Sequence, residues 1–379
     1  MSQKRGHSPD FVFLSCLFVL VVFGLVMLSS ASFDLGKIEY GETFYFLKKQ
    51  IFQGLSLGII GFLFAFFLPY EFWKKLAVPL FALSVAGLIL ILTTNLGISR
   101  GGATRWLDLG FFSFQPAELL KLTFIIYLAA WLSSKKAVDA ARQKSWLYGF
   151  IPFMAISGII GFLMFKQPAT TTPAIILAAG LIVYFASGAR MSFVIGPILA
   201  GLTFIILFIS LSQGYRAERI RTYVKTAFSE TKTEQIDLDN DFHIDRAKTA
   251  ISAGGFWGIG FGKSTIKYNS LPEAIGDSIF VVIAEELGFL GASLTIAAFV
   301  VLIARGFLIA KNSKDKFAQL VVIGIISVIA IQAFIHIGAM SGVVPLTGIS
   351  LPFISYGGTS LAIFLTMAGL VAKISRYAS

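Results

Sequence analysis

The sequence predicts an all-α integral membrane protein of ten transmembrane helices, and three observations carry that prediction. Of the 379 residues, 56% are hydrophobic and 13% charged, whereas a soluble domain carries about 25% charged residues. Mean hydropathy is +0.82. The apolar residues gather into windows of the roughly 17–25 residues that a bilayer demands, with the basic residues collected between them.

The windows run over 11–32, 51–69, 76–95, 115–133, 147–165, 172–189, 192–212, 277–309, 318–338 and 359–375. The first, although followed by the small residues of "LSSAS", is longer than the core of a cleavable leader and reads as an anchor that stays in place. An even number of crossings puts both ends on one side. Loops on that side hold Lys74, Lys75, Lys135, Lys136, Arg142 and Lys144 among others. The short loops opposite hold Lys37, Lys48, Lys49, Arg100, Arg105 and Lys166. Cytoplasmic loops carry the excess of Lys and Arg, so both termini are expected in the cytoplasm. The +11 net charge is thereby assigned to loops facing anionic lipid headgroups rather than to nucleic acid. The single cysteine, Cys16, excludes a disulfide framework and a thiolate metal site.

The chain reads as a single polytopic domain, 1–379, with one long external loop between the seventh and eighth helices, from about 213 to 276. A loop of about 60 residues is functional or disordered more often than a plain connection. Its start, "QGYRAERIRTY", could lie along the membrane surface, and "SETKTEQIDLDND" is polar. "SAGGFWGIGFGKST" turns apolar and glycine-rich, as a segment dipping back towards the bilayer would. The tail of that stretch imitates a phosphate loop, but Trp257 stands where such a loop needs its first glycine.

Four external stretches could carry chemistry. In "SRGGATRWLDLGFFSFQPAELLKL" (99–122) the glycines with Arg100, Arg105 and Trp106 suggest a loop, and Pro116 suits the first turn of a helix. Glu118 and Lys121, at i,i+3, share a helix face and can pair inside the membrane, for function or simply for packing. "KQPATTTP" (166–173) makes a hairpin with hydroxyls, or a plain turn. "LPEAIGDSIFVVIAEELGFLG" (271–291) sets Glu273 and Asp277 at i,i+4 at the mouth of an apolar helix, where helix N–H groups favour a carboxylate. A simple helix cap would also account for Asp277. Glu285 and Glu286 are adjacent, so one is expected to face the protein interior. "GVVPLTGISLPFISYGGTSLAIF" (342–364) is irregular backbone leading into the last helix, tolerated at membrane depth only within protein or along a water-filled cavity. His7, His243 and His336 are scattered and make no metal cluster in the sequence.

"FQPAELLKL", "LPEAIGDSIFVVIAEELGFLG" and "PLTGISLPFISYGGTSL" together resemble the characteristic segments of the SEDS (FtsW/RodA/SpoVE) family, in order and nearly end to end, with wording slightly closer to the FtsW division branch. The resemblance implies a peptidoglycan glycosyltransferase that polymerises lipid II at the outer face of the bacterial cytoplasmic membrane. It implies a class B penicillin-binding protein as partner, Asp277 as the acid essential for polymerisation, and Glu118–Lys121 as a pair beside the cavity. Ala169 occupies a place where the family often has an acid, and His336 one where many members have Asn.

The implied reaction is attack of a sugar hydroxyl on the anomeric carbon of a diphosphate-linked donor. Asp277 could serve as general base or hold a divalent cation (Mg or Mn); the sequence does not separate the two. Positive charge for the departing diphosphate could come from Arg100, Arg105, Lys121, or the cluster of Arg216, Arg219 and Arg221, with Trp106 and Glu118 completing the substrate-binding set. A lipid II flippase and a non-catalytic scaffold for a penicillin-binding protein are the rival readings. No repeated pair of broken helices, the mark of many transporters, supports the former.

Overall fold

The computed structural model describes residues 7–94, 97–100, 103–108, 110, 113–134, 142–167, 171–211, 238–264 and 275–378. All ten apolar windows fall on helices: α1 Phe11–Tyr40, α2 Tyr45–Phe67, α3 Tyr70–Thr93, α4 Pro116–Leu132, α5 Trp146–Phe165, α6 Thr171–Ala186, α7 Ser192–Leu211, α9 Ile279–Asn312, α10 Lys316–Met340 and α11 Gly358–Ser375. Among the described residues, seven (α1, α2, α3, α5, α9, α10 and α11) are long and apolar enough to cross a membrane. One further helix, α8 Leu238–Gly254, lies within the long loop and is polar on average.

Local chemistry sets the ends of these helices. Asp10 caps α1 by accepting from the Phe13 N–H at 2.9 Å, and Asp315 caps α10 by accepting from the Ala318 N–H at 3.1 Å, each satisfying a donor that the first turn leaves open. Gly41, at φ 70°, closes α1 in the left-handed conformation. Pro116 begins α4, where its missing N–H costs nothing.

The stretch expected to be a loop before α4 is instead a small antiparallel sheet, β1 Gly97–Arg100, β2 Ala103–Asp108 and β3 Ser113–Phe114, in the order β1-β2-β3. Gly97 pairs with Leu107 and Ile98 with Trp106. The glycines and arginines masked a short alternation of β-branched and aromatic residues, Ile98, Thr104 and Trp106, which suits a pleated ribbon.

The bundle is built around α10 and α11. In each, 67% of the most apolar window is buried, against 22% in α2, α3 and α9, which turn the rest of their apolar surface outward to lipid. α4 packs on α3, α6 and α10, and α11 lies along α2. The termini meet at one end of the bundle. The His7 N–H donates to the Arg376 carbonyl at 3.0 Å, the Asp10 N–H to Ser375 Oγ at 3.0 Å, and Arg305 pairs with Asp10. Both ends of the chain therefore share a side. The sheet, the 166–167 turn and the segment between α10 and α11 occupy the opposite end, where Gln167 Nε2 ties the turn to the Leu88 carbonyl of α3 at 3.1 Å and Thr359 Oγ1 ties the start of α11 to the Ser113 carbonyl of β3 at 3.1 Å.

Helix α1 approaches that end through a glycine. A Cβ on Gly24 would sit 2.6 Å from the Phe353 carbonyl oxygen and 2.7 Å from Ile354 Cα, both backbone atoms. Gly24→Ala is therefore expected to lower stability by about 1–3 kcal/mol, the usual cost of overpacking. Gly196→Ala on α7, where a Cβ meets nothing within 4 Å, should leave it unchanged or slightly raised. Thermal unfolding of the two purified variants in detergent checks the contrast, and equal melting temperatures would refute it.

Candidate functional site

At the end opposite the termini, the chain between α10 and α11 (341–357) runs without regular structure. Phe353, buried, holds φ at 67°, a left-handed conformation that is an outlier for a bulky residue. Backbone of this kind must find hydrogen-bond partners within the protein, and side chains supply them. On α10, Gln332 Nε2 donates to the Ser350 carbonyl at 2.8 Å. One turn on, His336 Nδ1 lies 2.6 Å from the Ile349 carbonyl, which fixes the proton on that nitrogen. On α2, a π-turn at Gln50–Leu55 turns Gln50 inward, where its Oε1 accepts from the Gly357 N–H at 3.0 Å. Ser355 Oγ accepts from the Leu351 N–H and donates to the Gly276 carbonyl, both at 2.7 Å. The Tyr356 N–H donates to the Ile275 carbonyl at 2.9 Å.

The last two bonds seat residues 275–278 on this segment, and Asp277 comes with them. Its carboxylate lies over Gly348, where an added Cβ would be 2.9 Å from Oδ2; any side chain there would press on the acid. Asp277 is half-buried and stands two residues before α9 begins at Ile279, where the helix dipole favours negative charge.

Glu118 and Lys121 make the pair that their spacing predicts, at 2.7 Å, with both side chains almost wholly buried. The Lys121 ammonium also donates to Gln332 Oε1 at 2.7 Å and sits 5.3 Å from the centre of the Phe364 ring. Gln332 is thus shared. Its oxygen takes Lys121 and its nitrogen holds Ser350, two residues from the glycine beneath Asp277. Ser350 Oγ is in turn 3.2 Å from Ser360 Oγ at the start of α11. The pair braces the site rather than reaching into it, and Glu118 Oε2 is buried without a hydrogen-bond partner among the described residues.

Arg105 and Trp106 lie on β2 at the same end of the bundle, both half-buried. Arg100 is described only as backbone in β1. Arg216, Arg219, Arg221, Glu273 and Ala169 lie outside the described residues.

Glu285 and Glu286 correct one expectation, since both are buried rather than one. Helix α9 breaks at Gly288 (φ 64°, ψ −164°), and the chain at 255–264 folds onto the break, enclosing both acids. Glu286 accepts from Ser30 Oγ at 2.7 Å and from the Ser264 N–H at 3.3 Å, while Glu285 accepts from Ser264 Oγ. The N–H groups of Ile259 and Gly260 are spent on the carbonyls of Glu285 and Glu286, so the phosphate-loop imitation is a packing device.

Sequence reasoning passed over Gln50, Gln332, Gly348 and Ser350. Gln332 had a usable signal, as an amide in the middle of the apolar run of α10, whereas Gln50, beside Lys48, Lys49 and Gln53, had little. Gly348 had none, because its role exists only in the fold.

A polytopic helical bundle with one irregular end, braced by a buried ion pair and carrying a half-buried acid at a helix start, is the class this structure defines. The chain matches the cell cycle protein family FTSW_RODA_SPOVE over residues 10–379 and belongs to that family. It is 35% identical to stage V sporulation protein E of Bacillus subtilis, covering 100% of this chain and 99% of that one. It is also 35% identical to the probable peptidoglycan glycosyltransferase FtsW of Trichlorobacter lovleyi, covering 98% and 94%. Two solved structures share its fold. A chain of a peptidoglycan synthase complex aligns with TM-score 0.79 at 24% identity, covering 98% and 99%. The Thermus thermophilus rod shape determining protein RodA aligns with TM-score 0.67 at 24% identity, covering 98% and 97%.

Removing one member of a buried ion pair strands the other, so Lys121→Met is expected to cost about 3–5 kcal/mol, and Glu118→Gln with Lys121→Met distinctly less. Thermal melts of the single and double variants check this. A single variant as stable as the parent would show that the pair does not brace the bundle.

Proposed function

We propose that this chain is a peptidoglycan glycosyltransferase that polymerises lipid II at the outer face of the bacterial cytoplasmic membrane, with Asp277 as the general base. The observation that carries the reading is the setting of Asp277, whose half-buried carboxylate rests on the irregular backbone between α10 and α11 beside a helix start, while Glu118, Glu285 and Glu286 are buried. The FtsW relative of Trichlorobacter lovleyi, 35% identical over nearly full length, is named a probable peptidoglycan glycosyltransferase. Both termini would then face the cytoplasm, in keeping with their common end.

The acceptor's sugar hydroxyl attacks the anomeric carbon of the donor. The bond from that carbon to the diphosphate oxygen breaks with inversion, and the hydroxyl proton passes to the Asp277 carboxylate. A positioned carboxylate contributes about 10²–10⁴-fold to such a step. The undecaprenyl diphosphate leaves as an anion, which needs positive charge but no general acid. Lys121 is committed to Glu118 and Gln332, so that charge falls instead to Arg105, Arg100 and the arginines at 216, 219 and 221, with Trp106 beside Arg105 offering a face to a sugar. Glu118 and Lys121 support the substrate site from behind.

A divalent cation, Mg or Mn, fits only with help from the substrate. Among the described residues no group of three His, Cys, Asp or Glu could hold a metal ion. One carboxylate together with diphosphate oxygens is a donor set that Mg²⁺ accepts, and Asp277 would be that carboxylate. The ion would neutralise the leaving group.

The family of proteins in which this chain falls, and the synthase complex that shares its fold, favour a class B penicillin-binding protein as the partner that crosslinks the product. The test is reconstitution with such a partner on lipid II in the presence of moenomycin. The parent chain should make glycan polymer, and Asp277→Asn should lose about 10²–10⁴-fold while remaining folded. Full activity in that variant would remove the base assignment. Lipid movement without polymer would point to a flippase, and partner binding with neither to a scaffold.

A further inference from the structure

The loop 255–262 takes no part in this chemistry, yet it is among the most tightly specified in the chain. Gly255, Gly258, Gly260 and Gly262 hold φ at 52°, 82°, 106° and 79°, values open to glycine and costly for other residues. Its backbone is stitched to the break in α9: Ile259 N–H to the Glu285 carbonyl at 3.0 Å, Gly260 N–H to the Glu286 carbonyl at 3.1 Å, Phe289 N–H to the Gly255 carbonyl at 2.9 Å, and Leu290 N–H to the Phe256 carbonyl at 3.2 Å. A Cβ on Gly258 would lie 2.1 Å from the Glu286 oxygen. This loop cannot rearrange to hide its side chains without giving up those bonds.

The side chains it displays are aromatic. Phe256, Trp257 and Phe261 are 54%, 75% and 52% exposed. Phe256 meets Trp257 edge to face at 5.1 Å and stacks along Phe289 at 5.9 Å. Phe289 is itself 64% exposed and continues into the outward face of α9 through Leu294 and Val300. An exposed phenylalanine forgoes roughly 1.5–3 kcal/mol of burial, so a braced loop that turns three aromatics outward suits surroundings that are not water. Its depth agrees. Beyond the break at Gly288, α9 runs on to Asn312, about 36 Å at 1.5 Å per residue and so about one crossing, which puts the loop where that crossing ends. Lys263, exposed at the end of the loop, can extend its ammonium towards headgroup phosphates.

We propose that this loop is a membrane anchor, with Phe256, Trp257 and Phe261 seated among lipids at the boundary between headgroups and acyl chains. Its occupant is the bilayer, because the aromatic cluster is continuous with the lipid-facing side of α9, and because Trp at that level can place its ring in apolar surroundings and its N–H among polar ones. The loop is joined to α9, whose first residue follows Asp277 by two positions. The anchor therefore sets the height of that carboxylate against the headgroups; this consequence, unlike the anchor itself, rests on the proposed role of Asp277.

The test uses the full chain alone in lipid nanodiscs. The fluorescence of Trp257, taken as the difference between the parent chain and Trp257→Phe, should be quenched at least twofold by phosphatidylcholine brominated at shallow acyl positions and barely by aqueous iodide. Introducing Phe261→Trp into the Trp257→Phe background should restore quenching by the brominated lipid. Quenching by iodide alone would put the loop in water, and quenching by neither would put it against protein; either overturns the proposal. The measurement does not involve catalysis, so it can fail while Asp277→Asn remains inactive, or succeed while Asp277→Asn is active.

Discussion

The site depends on one constraint: a stretch of non-helical backbone set against the end of a membrane bundle must have its peptide groups satisfied without relying on bulk water. Between α10 and α11 the chain meets it by borrowing amides and an imidazole from neighbouring helices and using a hydroxyl of its own, Ser355. Gln332 and His336, one turn apart on α10, take consecutive carbonyls. Gln50 reaches the same segment from α2 because a π-turn rotates it inward, in keeping with the tendency of π-turns to lie at functional sites. Ser355 then passes the constraint to residues 275–276, and so to Asp277. Where the carboxylate stands is therefore decided by four elements together.

The same logic explains why the ion pair sits where it does. A buried Glu–Lys pair is weak evidence of stability, since desolvation offsets much of its attraction. Here Lys121 does more than neutralise Glu118, because it also fixes the orientation of the Gln332 amide, which must point its oxygen to the ammonium and its nitrogen to Ser350. With a neutral residue at 121 the amide could flip, and the Ser350 carbonyl would lose its donor. The charge specifies a geometry, and that role does not demand a net stabilising pair.

The helices were legible in the sequence because a bilayer demands sustained apolar runs poor in charge; each apolar window fell on a helix. The Glu118–Lys121 pair was legible for a similar reason, since i,i+3 spacing on a helix leaves little freedom. The sheet at 97–114 was not, because its strands are short and its glycines and arginines resemble a loop until Ile98 is seen opposite Trp106. The burial of both Glu285 and Glu286 was hidden too. Helical spacing holds that neighbours diverge, and that rule fails where Gly288 ends the helix and another stretch of chain covers the exposed side. Gly348 and Gly24 matter only through what lies across from them, which no local pattern encodes.

Four acids, Glu118, Asp277, Glu285 and Glu286, are handled in three ways, and under the proposed reaction the differences separate scaffold from chemistry. Glu118 is given a cation. Glu285 and Glu286 are given hydroxyl and N–H donors from Ser30 and Ser264 and are closed off by a glycine loop. Each of these carboxylates is enclosed by its neighbours, and an enclosed acid cannot take a proton from an incoming sugar. Asp277 is only half-buried and is set over a glycine, with a helix start behind it, and a Cβ at position 348 would come within 2.9 Å of its Oδ2. The glycine leaves the carboxylate its place without a side chain pressing on it, which suits an acid that, under the proposed reaction, must stay within reach of a substrate.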